Sequence, residues 1–307
     1  MKTNSITITY LSKVSFASLN GSDKEVDNIN PIKKITLANG EELPYVSSQA
    51  LRRALRDRLE EMGFEISVPK IGDGGKTVIT STDASRYIDD DLFGFMDASN
   101  GYVRTSPVRV ESLVALSKYE GDLDYGVNFM GKGQIKDSKG KVIQPIFESE
   151  IHSGIYRGTI LIELDRIGCE IEKDAKGIIV RENGVPKIKH FLNNKQRSER
   201  VLAFLNAFRN LWSSGRQTRF LADISPKFIA AASMKVKNPI FLEAVNADKN
   251  GQINFDKLNS VLIDYEPFIE DSVLAGQEAV FNLGEGVTNL KEGFTKIESW
   301  IKSYYAQ

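Results

Sequence analysis

The sequence predicts an α+β fold in which strands and two amphipathic helices alternate along the chain. Residues 5–19 combine β-branched and aromatic side chains with partial alternation, which is typical of a long strand. Residues 47–62 carry apolar side chains every three or four positions and end at Gly63, which indicates a helix. With the later segments the order becomes β–α–insert–β–hairpin–β–α–β. This is the ferredoxin-like order with two large insertions.

The later elements are predicted from the same patterns. Asn39-Gly40 indicates a hairpin between the first strand and the first helix, and residues 64–106 are predicted to be irregular. Repeated glycines between residues 119 and 153 predict an extended hairpin that projects from the body. Further strands are expected at 107–117, 155–167 and 228–236, a second amphipathic helix at 194–212, and tail helices near 256–264, 271–282 and 287–304.

The first helix combines capping residues with a row of arginines. Ser47 or Ser48 is the expected N-cap, because a side-chain oxygen there accepts a free N–H of the first turn. Arg53 and Arg56 each have an acidic residue four positions on, with which an ion pair can form. Arg52 has no acidic residue at that spacing, so its charge is expected to be free for another partner.

Composition places the chain among ordinary globular proteins. It has 307 residues, 40 Lys and Arg against 41 Asp and Glu, a net charge of −1 and 41% hydrophobic residues, which excludes a disordered chain, a coiled coil and a fibrous repeat. The near-neutral total gives no indication of a nucleic-acid partner. No stretch reaches about 18 apolar residues and the N-terminus alternates, so we expect no membrane span, no signal peptide and a cytoplasmic location.

Cysteine and histidine are too few for the usual metal sites. The single Cys169 excludes a disulfide framework and a Cys-rich zinc site, and is expected to be a small buried apolar residue. His152 and His190 are the only histidines in the sequence. Asn246–Lys257 resembles a calcium loop, but Lys257 stands where a bidentate glutamate is required. We therefore predict no metal and no cofactor.

The near-neutral total conceals an uneven distribution of charge. Residues 181–237 carry 12 basic and 3 acidic residues, a net +9, whereas residues 238–307 carry 5 and 11, a net −6. Such asymmetry indicates an electropositive surface, with an ordinary solvated face as the alternative. The basic stretch and the acidic tail are expected to meet either within one chain or between copies.

Five motifs, taken in order, carry a family resemblance. They are Thr7–Gly21 (TITYLSKVSFASLNG), Val46–Arg56 (VSSQALRRALR), Asp91–Met96 (DLFGFM), Thr105–Val110 (TSPVRV) and Gly215–Arg219 (GRQTR). Together they resemble the DevR-type backbone proteins of type I CRISPR effector complexes, in the RAMP superfamily, and most closely those of subtype I-B. The resemblance runs from residue 5 to about residue 236.

The resemblance implies a ferredoxin-like, RRM-like palm with a finger insertion, a β-hairpin thumb and a C-terminal helical extension. It places the first half of the palm at 1–63, the finger at 64–106, a palm strand at 107–118, the thumb hairpin at 119–153, the second half of the palm at 154–236 and the extension at 237–307.

The resemblance also implies a non-catalytic subunit of a Cascade complex. Copies of such a protein stack head to tail along a guide crRNA, and each thumb displaces a nucleotide at regular intervals. The guide then pairs with target DNA. The partners expected are crRNA, target DNA, further copies of the chain, other Cascade subunits and a separate helicase-nuclease.

A protein that accepts any guide sequence should bind phosphates and sugars rather than base edges. Phe129 and Met130 are the expected apolar wedge of the thumb, with ordinary hairpin packing as the alternative. His152 either contacts a nucleotide or is structural, and Arg53 either contacts RNA or is tied to Asp57.

Serine hydroxyls, helix-start amides and unpaired arginines suit phosphates. The backbone contacts predicted on these grounds and from the resemblance are Lys13, Asn20, Ser47, Ser48, Gln49, Arg52, Arg53, Arg216, Gln217 and Arg219.

Two other functions fit the sequence less well. A metal-dependent ribonuclease of the same superfamily would use Asp23 and Asp27, in the loop after the first strand, as metal ligands. Solvated loop acids are the simpler interpretation of these residues. A transcriptional regulator would need a duplex-binding motif, and no helix-turn-helix is evident.

Overall fold

The computed structural model describes residues 3–23, 29–71, 78–97, 100–127, 136, 138–140, 146–172, 174, 177–213 and 220–306. Nine strands form one sheet: β1 Ser5–Ala17, β2 Lys34–Thr36, β3 Glu42–Val46, β4 Val108–Val110, β5 Leu113–Ala115, β6 His152–Glu163, β7 Phe228–Met234, β8 Ile269–Gly276 and β9 Thr288–Asn289. The α-helices of this part of the chain are α1 Ser48–Glu61, α2 Ile88–Phe93, α3 Asn194–Arg209, α4 Phe255–Asp264 and α5 Leu290–Tyr305. The fold is therefore a mixed α+β fold. Within the same residues, no helix is both long and apolar enough to cross a membrane.

The sheet runs in the order β9-β8-β7-β1-β6-β5-β3-β2, and β4 also pairs with β6. The central strand β1 is antiparallel to β7 on one side and to β6 on the other. Its residues Ile6, Ile8 and Tyr10 are buried with side chains of α1, α3 and α5 in one apolar cluster. Leu11 packs instead with β7 and with residues 240–258 in a second cluster. Because side chains alternate along a strand, α1, α3 and α5 cover one face of the sheet, and residues 240–258 cover part of the other.

Shorter ladders lie outside the main sheet. Leu123–Val127 pairs with Ile146–Glu150 in an antiparallel ladder, which Ile29–Asn30 joins in parallel. This ladder is the base of the hairpin predicted between residues 119 and 153. The other antiparallel pairs join Lys70–Ile71 to Val78–Ile79, Phe95–Asp97 to Tyr102–Arg104, Cys169–Ile171 to Ile188–His190, and Arg181–Glu182 to Val185–Pro186.

Most of the long predicted elements are confirmed. The strand at 5–19, the helices at 47–62 and 194–212 and the hairpin at Asn39-Gly40 correspond to β1, α1, α3 and the β2–β3 pair. The tail helices near 256–264 and 287–304 correspond to α4 and α5.

Three element predictions are corrected by the structure. The helix predicted at 271–282 is wrong, because residues up to Gly276 form β8, paired along β7. Residues 64–106 are not irregular, since they contain α2 and two short ladders. The strand predicted at 107–117 is divided into β4 and β5.

The short helix α2 buries three consecutive carboxylates, Asp89–Asp91. Asp91 pairs with Arg104 and, at 2.8 Å, with Arg200 of α3. Its Oδ1 also accepts a hydrogen bond from the Gly168 N–H at 3.0 Å. We refer to Asp91, Arg104 and Arg200 as the Asp91 cluster. It ties α2 and the 95–104 ladder to α3, so Asp91, the first residue of the DLFGFM motif, has a structural role.

Gly94, the fourth residue of that motif, ends α2 with φ 68° and ψ 179°. L-amino acids with a side chain rarely adopt this conformation. A Cβ at this position would overlap the carbonyl oxygen of Arg104 and lie 2.8 Å from the Ser106 nitrogen. The motif therefore requires glycine for both its backbone angles and its close contact.

Six of the ten basic residues that the structure describes in residues 181–237 form ion pairs within the chain. The ion pairs are Lys187–Glu172, Lys189–Glu170, Arg200–Asp91, Lys227–Asp223, Lys235–Glu270, Lys237–Glu163 and Lys237–Asp165. Most of these carboxylates belong to residues 64–180, and Glu270 belongs to the acidic tail. Among the described residues, the ion pair that joins the basic stretch to the acidic tail within one chain is thus Lys235–Glu270.

Glu163, at the end of β6, provides a prediction about pH. It is buried and pairs with Arg109, with Arg166 at 3.3 Å and with Lys237 at 3.0 Å. Burial alone would raise the pKa of Glu163, but the hydrogen bond and charge of Lys237, with the two arginines, hold that pKa below its ordinary value of 4.5. A carboxylate with a depressed pKa stabilises the fold above its unfolded-state pKa, and this contribution is lost as the pH falls through the folded-state pKa. Between about pH 5 and pH 3 the urea midpoint of the wild type should therefore fall more steeply than that of Glu163→Gln. Parallel pH profiles would contradict this assignment.

Candidate nucleic-acid interface

The end of β1 and the start of α1 are joined by two of the predicted residues. The Oδ1 atom of Asn20 accepts a hydrogen bond from the Ser47 N–H at 2.9 Å. The Oγ atom of Ser47 accepts one from the Ala50 N–H at 3.3 Å, which makes Ser47 the N-cap of α1, as predicted. Asn20 and Ser47 therefore hold the first turn of the helix against the end of the strand.

A pocket of about 150 Å³ opens beside this joint. It is lined by Asn20, by Arg53 from the second turn of α1, and by Ser213, which lies beyond the end of α3. The Arg53 guanidinium is exposed and pairs with Asp57 at 2.9 Å, as one of the two alternatives predicted. Surface pairs of this kind contribute little, so Arg53 can exchange that partner for another anion. Ser213 was not predicted, because the sequence indicates only that it ends a helix.

Ser48 and Gln49 differ in how free their side chains are. The Ser48 hydroxyl donates to the Val110 carbonyl oxygen at 2.6 Å, and its N–H donates to the Ser112 hydroxyl at 3.1 Å. These bonds fix α1 against β4 and favour a structural role for Ser48. Gln49 lies exposed in the same turn.

Arg52 is half-buried and has no carboxylate partner among the described residues. Its Nε atom donates to the Ser48 carbonyl oxygen at 3.4 Å, within the helix. Burial, and next the charge of Arg56, lower the pKa of Arg52. Arg56 itself pairs with Asp89 at 2.7 Å rather than with Glu60, the residue four positions on. The absence of a local partner for Arg52, inferred from spacing, is thus confirmed within the described part of the chain.

Lys13 and Phe16 lie exposed near the end of β1. Lys13 forms no ion pair with a described residue. Phe16 was not singled out by the sequence, because a phenylalanine in a strand is normally a core residue. Its ring packs on Phe220, with the two ring centroids 5.3 Å apart.

His152 is buried at the start of β6, at the base of the projecting hairpin. Its Nδ1 atom lies 2.7 Å from the Tyr156 hydroxyl and its Nε2 atom 3.4 Å from the Ser117 hydroxyl. Burial lowers the pKa of His152, which favours the neutral ring. With both ring nitrogens occupied inside the protein, the structural alternative is favoured over a nucleotide contact.

Five predicted residues lie outside the described part of the chain: Phe129, Met130, Arg216, Gln217 and Arg219. The chain on either side of residues 214–219 is described. The Ser213 N–H donates to the Ala222 carbonyl oxygen at 2.9 Å, and the Ser213 hydroxyl donates to the Leu19 carbonyl oxygen at 3.5 Å. Ser213 and Phe220, the described residues on either side of 214–219, therefore both lie near the end of β1.

The acidic side chains described near this site do not form a set of metal ligands. Asp23 is exposed in the loop after β1, and Asp27 lies outside the described residues. Within the described ranges, no group of three or more His, Cys, Asp and Glu side chains is placed to hold a metal ion. What this part of the protein offers to a ligand is a set of N–H donors and an exposed aromatic ring.

Comparisons with known proteins match this chain over most of its length. The family model described as CRISPR-associated negative auto-regulator DevR/Csa2 matches residues 8–250. A solved structure described as a CRISPR RNA-guided surveillance complex, pre-nicking, contains a similar chain with a TM-score of 0.64 at 14% identity, covering 97% of this chain and 99% of that one. A second CRISPR RNA-guided surveillance complex gives a TM-score of 0.53 at 16% identity and covers 98% of each chain. No curated protein sequence matches the chain.

Proposed function

The chain belongs to the CRISPR-associated DevR/Csa2 family, and from this premise we propose that it is a non-catalytic backbone subunit that binds crRNA in a type I Cascade complex of subtype I-B. In this role further copies of the chain lie head to tail along one guide, which pairs with target DNA. Other Cascade subunits complete the complex, and a separate helicase-nuclease cuts the target. The fold shared with chains of two CRISPR RNA-guided surveillance complexes supports the proposal.

We propose that the four central strands, with α1 and α3, form a ferredoxin-like palm. Along the chain these elements follow the order β1, α1, β5, β6, α3, β7. In the sheet the strands lie as β7-β1-β6-β5, and each neighbouring pair is antiparallel. The chain order is that of a ferredoxin-like unit. In the same proposal residues 64–106 are the finger, 119–153 the thumb and 237–307 the extension.

The observation that carries the proposal is the half-buried Arg52 without a carboxylate partner among the described residues. A partly buried cation that lacks a counter-ion is costly, and an RNA phosphate supplies one through two parallel N–H bonds. Gln49 and Arg53, in the same two turns of α1, add exposed donors, and Lys13 adds a further cation on β1. None of these groups needs a particular base, which suits a protein that must accept any guide.

The proposal predicts weaker and less salt-dependent RNA binding when Arg52 and Lys13 are replaced. The double variant Arg52→Ala, Lys13→Ala should bind single-stranded RNA about tenfold more weakly, whatever the sequence of the RNA. The plot of log K against log salt concentration has a negative slope. Its magnitude should decrease by about 1.4, because each lost phosphate contact in a single strand accounts for about 0.7. Fluorescence anisotropy of the full chain with three unrelated RNAs of equal length, at several salt concentrations, measures both quantities.

The control removes the same charge from ion pairs elsewhere. Arg86→Ala with Lys302→Ala breaks the surface pairs with Glu65 and Glu298 and should leave affinity and slope unchanged. A loss confined to one RNA sequence would contradict a phosphate contact. Cleavage of a matched RNA with Mg²⁺, abolished by Asp23→Ala, would instead favour the ribonuclease.

A further inference from the structure

An extra residue interrupts the regular alternation of β1. Val14 lies opposite Gly154 and Ala17 opposite His152, so three steps along β1 match two steps along β6. An extra residue of this kind is a β-bulge, and it moves the following side chains to the other face. The residues of β1 in the helix-side core are even-numbered up to Val14 and odd-numbered from Ala17. Without the bulge, alternation would place Phe16 in that core.

Phe16 is instead 52% exposed. The Phe16 ring packs against the buried Phe220, with 5.3 Å between the ring centroids and 59° between the ring planes. This contact restricts the orientation of the Phe16 side chain. Leu221, next in the chain after Phe220, is also exposed, at 88%. The bulge and the supporting ring together hold a large apolar side chain at the surface.

We propose that Phe16 is a stacking platform for one unpaired base of the bound RNA. Every base has a π-face, so an aromatic ring binds any sequence in a single strand. The inference rests on the proposed function and adds a base contact to the phosphate contacts.

The charges near the ring favour a nucleic acid over an apolar protein surface. Lys13 lies three residues before Phe16 and has no ion-pair partner among the described residues. Arg53, exposed beside Asn20, shares a pocket with Ser18, two residues after Phe16. Lys13 and Arg53 are therefore the candidate phosphate contacts for an RNA whose base stacks on Phe16.

The test is the affinity of the full-length Phe16→Ala variant for single-stranded RNA. Stacking on one aromatic side chain is lost, so affinity should fall about tenfold. No charge is removed, so the salt slope should stay at the wild-type value, unlike that of the Arg52 and Lys13 variant. In a series of RNAs, 2-aminopurine replaces one base at a time along the strand. Its fluorescence should be quenched at one position for each bound copy of the wild-type chain, and at no such position by Phe16→Ala.

Two further variants separate stacking from packing. Phe16→Leu keeps an apolar contact with Phe220 but has no ring, and it should also lose the quenching, whereas Phe16→Trp should retain it. Phe268→Ala removes another exposed phenylalanine, in the turn after α4. It should change neither the affinity for RNA nor the quenching of 2-aminopurine.

The outcomes distinguish this inference from the proposed function. If the wild type binds RNA through Arg52 and Lys13 but Phe16→Ala binds equally well, the stacking platform is wrong and the proposed function stands. If the wild type binds no RNA, both fail. If Phe16→Ala disrupts only self-association, measured by sedimentation, the ring is a protein contact and the inference is overturned.

Discussion

Replacing Asp91 with asparagine should lower the free energy of unfolding by about 3–5 kcal/mol. The carboxylate is fully buried between Arg104 and Arg200, which are themselves nearly buried. Asparagine has almost the same shape, so the loss comes from two guanidinium groups left without their counter-ion rather than from a cavity. Urea unfolding followed by circular dichroism measures the difference.

The matched control for Asp91 is an ion pair at the surface. Glu65→Gln removes one carboxylate from the exposed pair with Arg86, and should lower the free energy of unfolding far less than Asp91→Asn, because solvent screens an exposed pair. Equal urea midpoints for the two variants would show that the Asp91 cluster contributes no more than a surface pair.

Gly94→Ala is expected to destabilise the protein by about 3–5 kcal/mol, from backbone strain and steric overlap together. The new methyl group would overlap the Arg104 carbonyl oxygen and crowd the Ser106 nitrogen, and neither backbone atom can move without disturbing the 95–104 ladder. Because natural domains are stable by about 5–15 kcal/mol, the variant should also yield less soluble protein at 37 °C. Thermal unfolding and the soluble fraction after expression measure these effects.

Gly101 offers a control, because its φ angle is also positive but a Cβ there would make no close contact. Its φ is 63°, and a Cβ there would meet no atom within 4 Å. Gly101→Ala should therefore cost only the left-handed penalty of about 1–2 kcal/mol. If both variants lose the same stability, the contact of Gly94 with residues 104–106 is unimportant.

The elements that could be predicted from the sequence are those whose pattern reflects one buried face. In α1, Leu51, Leu55 and Leu59 are fully buried at helical spacing, and Ser47 caps the helix. The β2–β3 hairpin follows from the turn residues Asn39-Gly40. In these cases the interaction that decides the structure lies within a few residues of the chain.

β8 shows where local patterns are insufficient. The helix predicted at 271–282 contains Ala275 and Ala279, which favour a helix locally. Residues up to Gly276 nevertheless pair residue by residue with β7, from Phe228 opposite Gly276 to Ser233 opposite Asp271. Strand preference depends on such neighbours more than on composition. A partner some 40 residues away cannot be inferred from the segment itself.

In the candidate site, too, only contacts between near neighbours in the sequence could be predicted. The spacing within α1 indicates that Arg52 has no acidic partner, and among the described residues it has none. The partner of Arg56 and the acceptor of the Ser48 hydroxyl lie more than 30 residues away, on α2 and β4, and neither could be predicted. Phe16 was missed because partial alternation in residues 5–19 does not reveal where the alternation reverses.

The bulge in β1 means that the segment between Val14 and Ala17 contains one residue more than regular alternation requires. Loss of one codon at Ser15 would remove that residue and leave Val14 and Ala17 opposite Gly154 and His152 in regular alternation, with Phe16 still on the outer face. A slip of the register at unchanged length would instead turn Ala17 outward and Phe16 inward. The length of this segment is therefore less constrained than its pairing with β6, and we expect natural variants that lack the extra residue to keep the same core.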